Sequence, residues 1–326
     1  MGEILWGSGG ETPGLSGHYR VDFRPQGWHS TGAPTGDDMT DSLPIPLSAP
    51  LTPAQQTMLV NLVRRAARAE IMPRFRTVTR AEAMTKSGPH DLVTEADHQA
   101  EAMLSRGLQR MFPHALIVGE EAVAAKPALR EDVSEAELAF IIDPVDGTWN
   151  FVHGLPLFGV IIAVTRFGRP VLGLLYDPVS DDWIIADEVN PARMAAVQGS
   201  ERPVRVSSGG ALSELQGYMH YYLMTQARQD KVAPLLPALA RCVALRCSCH
   251  EYRLLAQGAV DFVLSDVLNP WDHAAGVLIC RQAGGVARML DGRDYNTSIT
   301  KGVLLSAANE ETWTSLKDHF ACLLDI

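Results

Sequence analysis

Behind Thr52 the apolar positions Leu59, Leu62, Val63 and Ala66 recur at helical spacing, with Thr52 at the N-cap position and Pro53 opening the first turn. A second helix is expected from about Thr94 to Met111. The pattern then changes to short apolar runs. Leu116-Ile117-Val118 reads as a strand leading into Gly119-Glu120-Glu121, and Phe140-Ile141-Ile142 as another ending at Asp143. Gly159 to Val164, Pro170 to Tyr176 and Trp183 to Ala186 read as an antiparallel meander, turned at Phe167-Gly168-Arg169. After about Glu201, shorter strands alternate with helices, including Glu251 to Gln257 and Ala274 to Gln282, the latter stopped by Gly284-Gly285. This order predicts an α+β half over residues 51–200 packed on an α/β half over 201–326.

Residues 1–50 are rich in Gly, Pro, Ser, Thr and Asp, with scattered aromatics (Trp6, Tyr19, Phe23, Trp28) and neither a helical nor an alternating period. They are expected to form a poorly ordered extension, with Met39 a candidate natural start.

The 326 residues, 46% of them hydrophobic, suffice for a substantial core without covalent staples. A formal charge of −10 leaves no broad basic field, which argues against nucleic acid as the main ligand. A small anionic substrate would then need cations or local Arg and Lys. The five cysteines are odd in number and form no C-x-x-C pair, so they read as reduced thiols in a cytoplasmic protein. Cys247 and Cys249 flank Ser248 and read as core residues. No apolar run approaches the ~20 residues that span a bilayer, so no membrane partner is expected.

The candidate chemistry starts at Asp143-Pro144-Val145-Asp146-Gly147-Thr148. Two carboxylates three positions apart repel unless cations lie between them, and Gly147 and Thr148 offer backbone N–H groups to an anion. Pro144 disfavours helix at Asp143 and holds it extended at a strand end. Taken alone, the segment is also compatible with a turn in which Asp side chains bond their own backbone. Glu120 and Glu121 alone would be a solvated turn, Asp272 a helix N-cap, and Asp97, three residues after Thr94, the partner in a capping box.

Together, these segments resemble the inositol monophosphatase family of metal-dependent, lithium-sensitive phosphatases. The resemblance rests on Lys86 to Asp97, Gly119-Glu120-Glu121, Asp143 to Phe151 and Trp271-Asp272 with Ala274-Ala275-Gly276, in that order along the chain. It implies a five-layer α-β-α-β-α sandwich and Mg²⁺-dependent hydrolysis of a small phosphate monoester, inositol-1-phosphate or a related sugar or polyol phosphate. It further implies a homodimer. Glu120, Asp143 and the Val145 carbonyl would hold one Mg²⁺, and Asp143, Asp146 and Asp272 a second, with a third near Glu120. Glu120 and Thr148 would orient the attacking water and Asp97 the Thr148 hydroxyl. Gly147, Thr148, Lys86 and Ser248 would face the phosphate or substrate alongside Asp146 and Asp272.

The chain departs from the family on the substrate side. Ser265 stands where inositol-specific members usually carry a glutamate, and Arg246-Cys247-Ser248-Cys249 replaces a Gly-Ser/Thr-Ala-Ala segment. Asp266 is a candidate substitute for the missing carboxylate, and Arg246 is compatible with a more anionic substrate. Histidinol phosphate, fructose bisphosphate and nucleotide bisphosphates are the alternative substrates, although Trp149 stands where nucleotide bisphosphatases typically have lysine. A regulatory binding protein with a secondary phosphatase site is the alternative of another class.

Overall fold

A computed structural model describes residues 49–77, 84–85 and 92–324; Lys86 and residues 1–48 lie outside the described residues. The first helix, Pro53–Ala66, begins as its capping signals require. The Thr52 hydroxyl accepts from the Gln55 N–H, and the Gln55 side chain accepts in return from the Thr52 N–H. The second helix, Glu95–Met111, carries the same reciprocal box between Thr94 and Asp97.

A seven-stranded sheet runs Leu116–Gly119, Ala139–Asp146, Gly159–Arg166, Arg169–Asp177, Asp182–Asp187, Arg193–Ala196 and Arg202–Pro203, each strand paired with the next. The first pair is parallel and the rest antiparallel, so the expected meander is present. A five-stranded sheet has the spatial order Arg241–Val243, Gln216–Met219, Phe262–Ser265, Leu304–Ala307, Val286–Met289.

Side-chain alternation in these strands sorts the core into layers. Phe140, Ile142, Ile162 and Leu174 pack with Leu59, Leu62, Ala100 and Leu104 of the two N-terminal helices. Their neighbours Ile141, Ile161, Ala163 and Leu175 point the other way, onto Tyr252, Leu255, Trp271, Ala275 and Ile279. These belong to helices Ser248–Ala256 and Pro270–Gln282, whose far side meets Val263, Ala287 and Leu304 of the second sheet. Phe262, Leu264 and Leu305 cover Trp313, Leu316 and Phe320 around helix Glu310–His319. The result is helix, sheet, helix, sheet, helix, as the resemblance implies. The Ala139–Asp146 strand is buried along its whole length, which is why it reads as a continuous apolar run instead of an alternating one.

Element boundaries differ in two places that matter for the site. The helix expected from Glu251 begins at Ser248, because Cys247 takes the extended N-cap conformation and small residues follow it. The helix expected from Ala274 begins at Pro270, where a proline needs no hydrogen-bond acceptor, and this draws Asp272 into its first turn. Asn269, not Asp272, is the N-cap residue.

Candidate functional site

The Ala139–Asp146 strand loses its regular pairing between Asp143 and Asp146, where the register shifts. Pro144 has no N–H to give the ladder, and the Val145 N–H turns instead to the Asp143 side chain at 3.2 Å. Gly147 then reverses the chain with φ +86°. A Cβ there would lie 2.9 Å from the Leu157 carbonyl oxygen and 3.1 Å from the Cys247 Cβ, so only glycine fits. Gly147→Ala is expected to lose about 1–3 kcal/mol of stability, since it combines a strained φ with a backbone clash. Thermal unfolding checks this, and an unchanged midpoint would contradict the geometry.

The bulge delivers Asp143 and Asp146 to one place, and the first turn of Pro270–Gln282 delivers Asp272 to the same place. One carboxylate oxygen from each lies within 4.8 Å of the others. Asp143 is only 2% exposed and Asp146 7%, so their charges are poorly hydrated. Burial, first, and the Asp272 charge, second, push the Asp146 carboxyl up to about 7. The Cys249 N–H at 2.5 Å and the Cys247 thiol at 3.1 Å oppose that rise by donating to Asp146 Oδ2. The thiol is a reliable donor because its own burial keeps it protonated.

A carboxyl raised on folding favours the fold only while protonated. Its contribution is complete below the ordinary value of 3.8 and is lost as pH rises through about 7. Chelator-treated protein is therefore expected to lose thermal stability between pH 5 and pH 8 more steeply than its Asp146→Asn variant. Mg²⁺ at pH 8 is expected to restore it. Parallel pH profiles for the two proteins would refute this.

Asp97 is 1% exposed, and its two oxygens divide their work. Oδ2 accepts from the Thr94 N–H at 2.8 Å and the Thr94 hydroxyl at 2.6 Å. Oδ1 lies 3.1 Å from the Thr148 hydroxyl, which is also 2.9 Å from the Val145 carbonyl. Capping and orienting therefore coexist in one side chain. One turn further along the same helix, Glu101 accepts from the Glu121 N–H at 2.8 Å and the Ala122 N–H at 2.9 Å. It thereby closes the start of helix Glu120–Ala125 and places Glu120 beside the strand end. Gly119 leaves room for this contact, since a Cβ there would fall about 2 Å from the Glu101 carboxylate and displace it. Glu101 is not among the expected site residues; its signal is the i,i+4 spacing from Asp97 on an otherwise buried face.

Glu120, Asp143, Val145, Asp146, Gly147, Thr148 and Asp272 line one cleft of about 110 Å³, joined by Leu92, Trp149, Tyr222 and Arg246. The Val145 side chain belongs to the outer core, so its backbone faces the cleft. Ser248 is not brought to the lining; it is buried in the first turn of its helix. Lys86 lies outside the described residues. Asp266 does not line the cleft either, because Arg228 holds it at 2.7 Å. Of the segment Arg246 to Arg253, only Arg246 reaches the cleft. His250 contacts the Phe158 carbonyl at 3.1 Å, the Tyr252 hydroxyl lies 3.2 Å from His273 Nδ1, and Arg253 donates to the Leu175 carbonyl at 3.0 Å and pairs with Asp182. Those residues serve packing between the helices and the first sheet.

The family model for the inositol monophosphatase family matches residues 54–323. The chain belongs to the inositol monophosphatase family. Members of this family are phosphatases that hydrolyse phosphate monoesters, and in general they depend on Mg²⁺. Among curated relatives, the fructose-1,6-bisphosphatase/inositol-1-monophosphatase of Thermotoga maritima is 31% identical over 65% of this chain and 76% of its own. The histidinol-phosphatase of Chlorobaculum parvum is 32% identical over 67% of this chain and 78% of its own. Nus factor SuhB of Vibrio cholerae is 30% identical over 74% and 88%. The solved Thermotoga maritima IMPase superposes with a TM-score of 0.69 at 25% identity, covering 83% of this chain and 98% of that one. The family's chemistry suits the donor set: carboxylates and a backbone carbonyl, all hard oxygen ligands, without a competing imidazole or thiolate among the described residues that line the cleft. Among the described residues no helix is long and apolar enough to cross a membrane.

Proposed function

We propose that the chain hydrolyses a small sugar or polyol phosphate with two or three Mg²⁺ ions held by Glu120, Asp143, the Val145 carbonyl, Asp146 and Asp272. The observation that supports this most is the convergence of three carboxylates within 4.8 Å, beside a threonine hydroxyl already set by Asp97. When bound, divalent cations supply Lewis acidity that makes a water a usable nucleophile near neutral pH and offsets phosphoryl charge. The chain's own groups do the orienting. Asp97, buried, accepts a hydrogen bond from the Thr148 hydroxyl and so would turn a lone pair of that oxygen toward the water; Glu120 would receive the water's other hydrogen. Whenever the Val145 carbonyl serves as a ligand, Asp97 is the acceptor left to Thr148. Backbone N–H groups at Gly147 and Thr148 would face the phosphate oxygens; the contribution that the resemblance assigns to Lys86 falls outside the described residues. Thr148→Ser is expected to retain most activity, since it keeps the hydroxyl.

Inositol-1-phosphate, histidinol phosphate, fructose 1,6-bisphosphate and an adenosine bisphosphate, assayed with Mg²⁺, test the reading and rank the alternatives. Turnover of none of them by folded protein would overturn it. The expectations of a homodimer, a cytoplasmic location and Li⁺ inhibition belong to the same proposal; light scattering and a Li⁺ titration test the first and last. The name of the SuhB relatives raises a regulatory binding role as a second reading. A binding module, however, has no physical reason to keep a mutually repulsive carboxylate cluster.

A further inference from the structure

One cleft residue has no part in that chemistry. Arg246 is the sole cation among the described residues that line the cleft. Two aromatic rings hold it: its guanidinium carbon lies 4.1 Å from the centre of the Trp149 ring and 4.8 Å from that of Tyr222. Trp149 is itself stacked on His153 at 4.0 Å, so the platform is braced from behind. Rings engage the faces of a guanidinium, whereas anions bind along its in-plane N–H edge, so the stacking fixes the plane in which that edge lies.

The backbone is equally committed. Arg246 has φ +59°, a left-handed conformation that costs a non-glycine residue roughly 1–2 kcal/mol. A glycine would adopt it without penalty. The loop is tied to the turn that carries Gly147 and Thr148, because Asn150 Nδ2 donates to the Leu245 carbonyl at 2.8 Å. From below, Glu251 Oε1 accepts the Leu245 N–H at 2.8 Å, while its Oε2 lies 2.9 Å from His220 Nε2. That second contact is an ion pair between two buried side chains. Glu251 nonetheless raises His220 to about 9 against the opposing effect of burial, so the loop rests on a charged, buried support. An arginine kept in a strained conformation, clamped by rings and anchored to the Gly147–Thr148 turn, is a built feature. No acidic side chain from Ser265 to Leu268 lines the cleft to oppose it.

We propose that Arg246 reads the alcohol side of the ester, and that the preferred substrate is a small phosphate monoester whose alcohol carries a second anionic group, a carboxylate or a second phosphate. This rests on the hydrolase reading above and selects within it.

The test is a matched set of esters: propyl phosphate, 2-carboxyethyl phosphate and propane-1,3-diyl bisphosphate, compared by kcat/KM with Mg²⁺. The wild type is expected to favour at least one doubly anionic ester over propyl phosphate by about tenfold to hundredfold, the range of a hydrogen bond between charged groups. The carboxylate and bisphosphate arms show which anion is preferred. In R246Q the ratio is expected to fall toward one, and in R246K to recover in part; thermal unfolding confirms that both variants fold. A wild-type ratio near one, or a ratio that survives in R246Q, overturns the proposal. So does an equal loss on all three esters with a shifted Mg²⁺ dependence, which would make Arg246 a counter-ion to the carboxylates. Hydrolysis of none of the three by folded wild type would sink the hydrolase reading instead. Calorimetric binding of the bisphosphate to wild type and R246Q then decides Arg246 separately, with equal affinities counting against it.

Discussion

Asp143→Asn is expected to abolish Mg²⁺-dependent phosphatase activity, by about 10³-fold or more, and to leave the fold intact. The carboxylate sits where the strand ends, is 2% exposed, and shares its space with Asp146 and Asp272. In the proposed assignment it serves both cations, so replacing it removes a ligand from each. Loss of one oriented electrostatic stabiliser alone costs about 10²–10³ in rate. The amide is nearly isosteric and relieves repulsion within the cluster, so the metal-free variant is expected to unfold at or above the wild-type temperature. Calorimetric titration with Mg²⁺ should show weakened binding. Near wild-type turnover in a folded variant would remove the basis of the assignment.

Asp97→Asn separates two roles that one side chain combines. Its kcat is expected to fall about 10²–10⁴-fold, the scale of a displaced proton-transfer relay, because an amide no longer presents two charged acceptors to Thr94 and Thr148. Stability is expected to drop by about 1 kcal/mol through the weakened cap. Mg²⁺ affinity should change little, since Asp97 is not part of the carboxylate cluster. Thr148→Val supplies the control: it should reproduce the kcat loss without the capping loss. If Asp97→Asn mainly weakens Mg²⁺ binding, Asp97 is a ligand and the orienting role is wrong.

Local signals made much of the fold legible. Thr52 and Thr94 announce their helices because the competing interaction is only three residues away. The meander is legible because its strands are long, apolar and joined by tight turns. Ser248 illustrates what local reading misses. It stands between two cysteines that both touch Asp146, yet the helix turns it into the interior. The direction of a side chain in the first turn depends on where the helix begins, and that start follows the extended Cys247, with Cys249 packed against Gly159 and Tyr176. Glu101 escaped for a related reason, since its partners lie 20 and 21 residues away, beyond the Leu116–Gly119 strand.

The linear order of residues determined which chemistry is available: carboxylates at the ends of apolar runs, a glycine where the chain must reverse, and a threonine after it. These are properties of near neighbours, set by backbone sterics and by hydrogen bonds within a turn. The resemblance assigned Asp272, more than a hundred residues from Asp143, to the same cluster, but only the tertiary structure shows how it arrives there. It also decided that Arg246, and neither Asp266 nor Ser248, lines the cleft. The physical reason is that sheet alternation and helix packing choose which face of each element is buried, and burial is settled by the whole core at once.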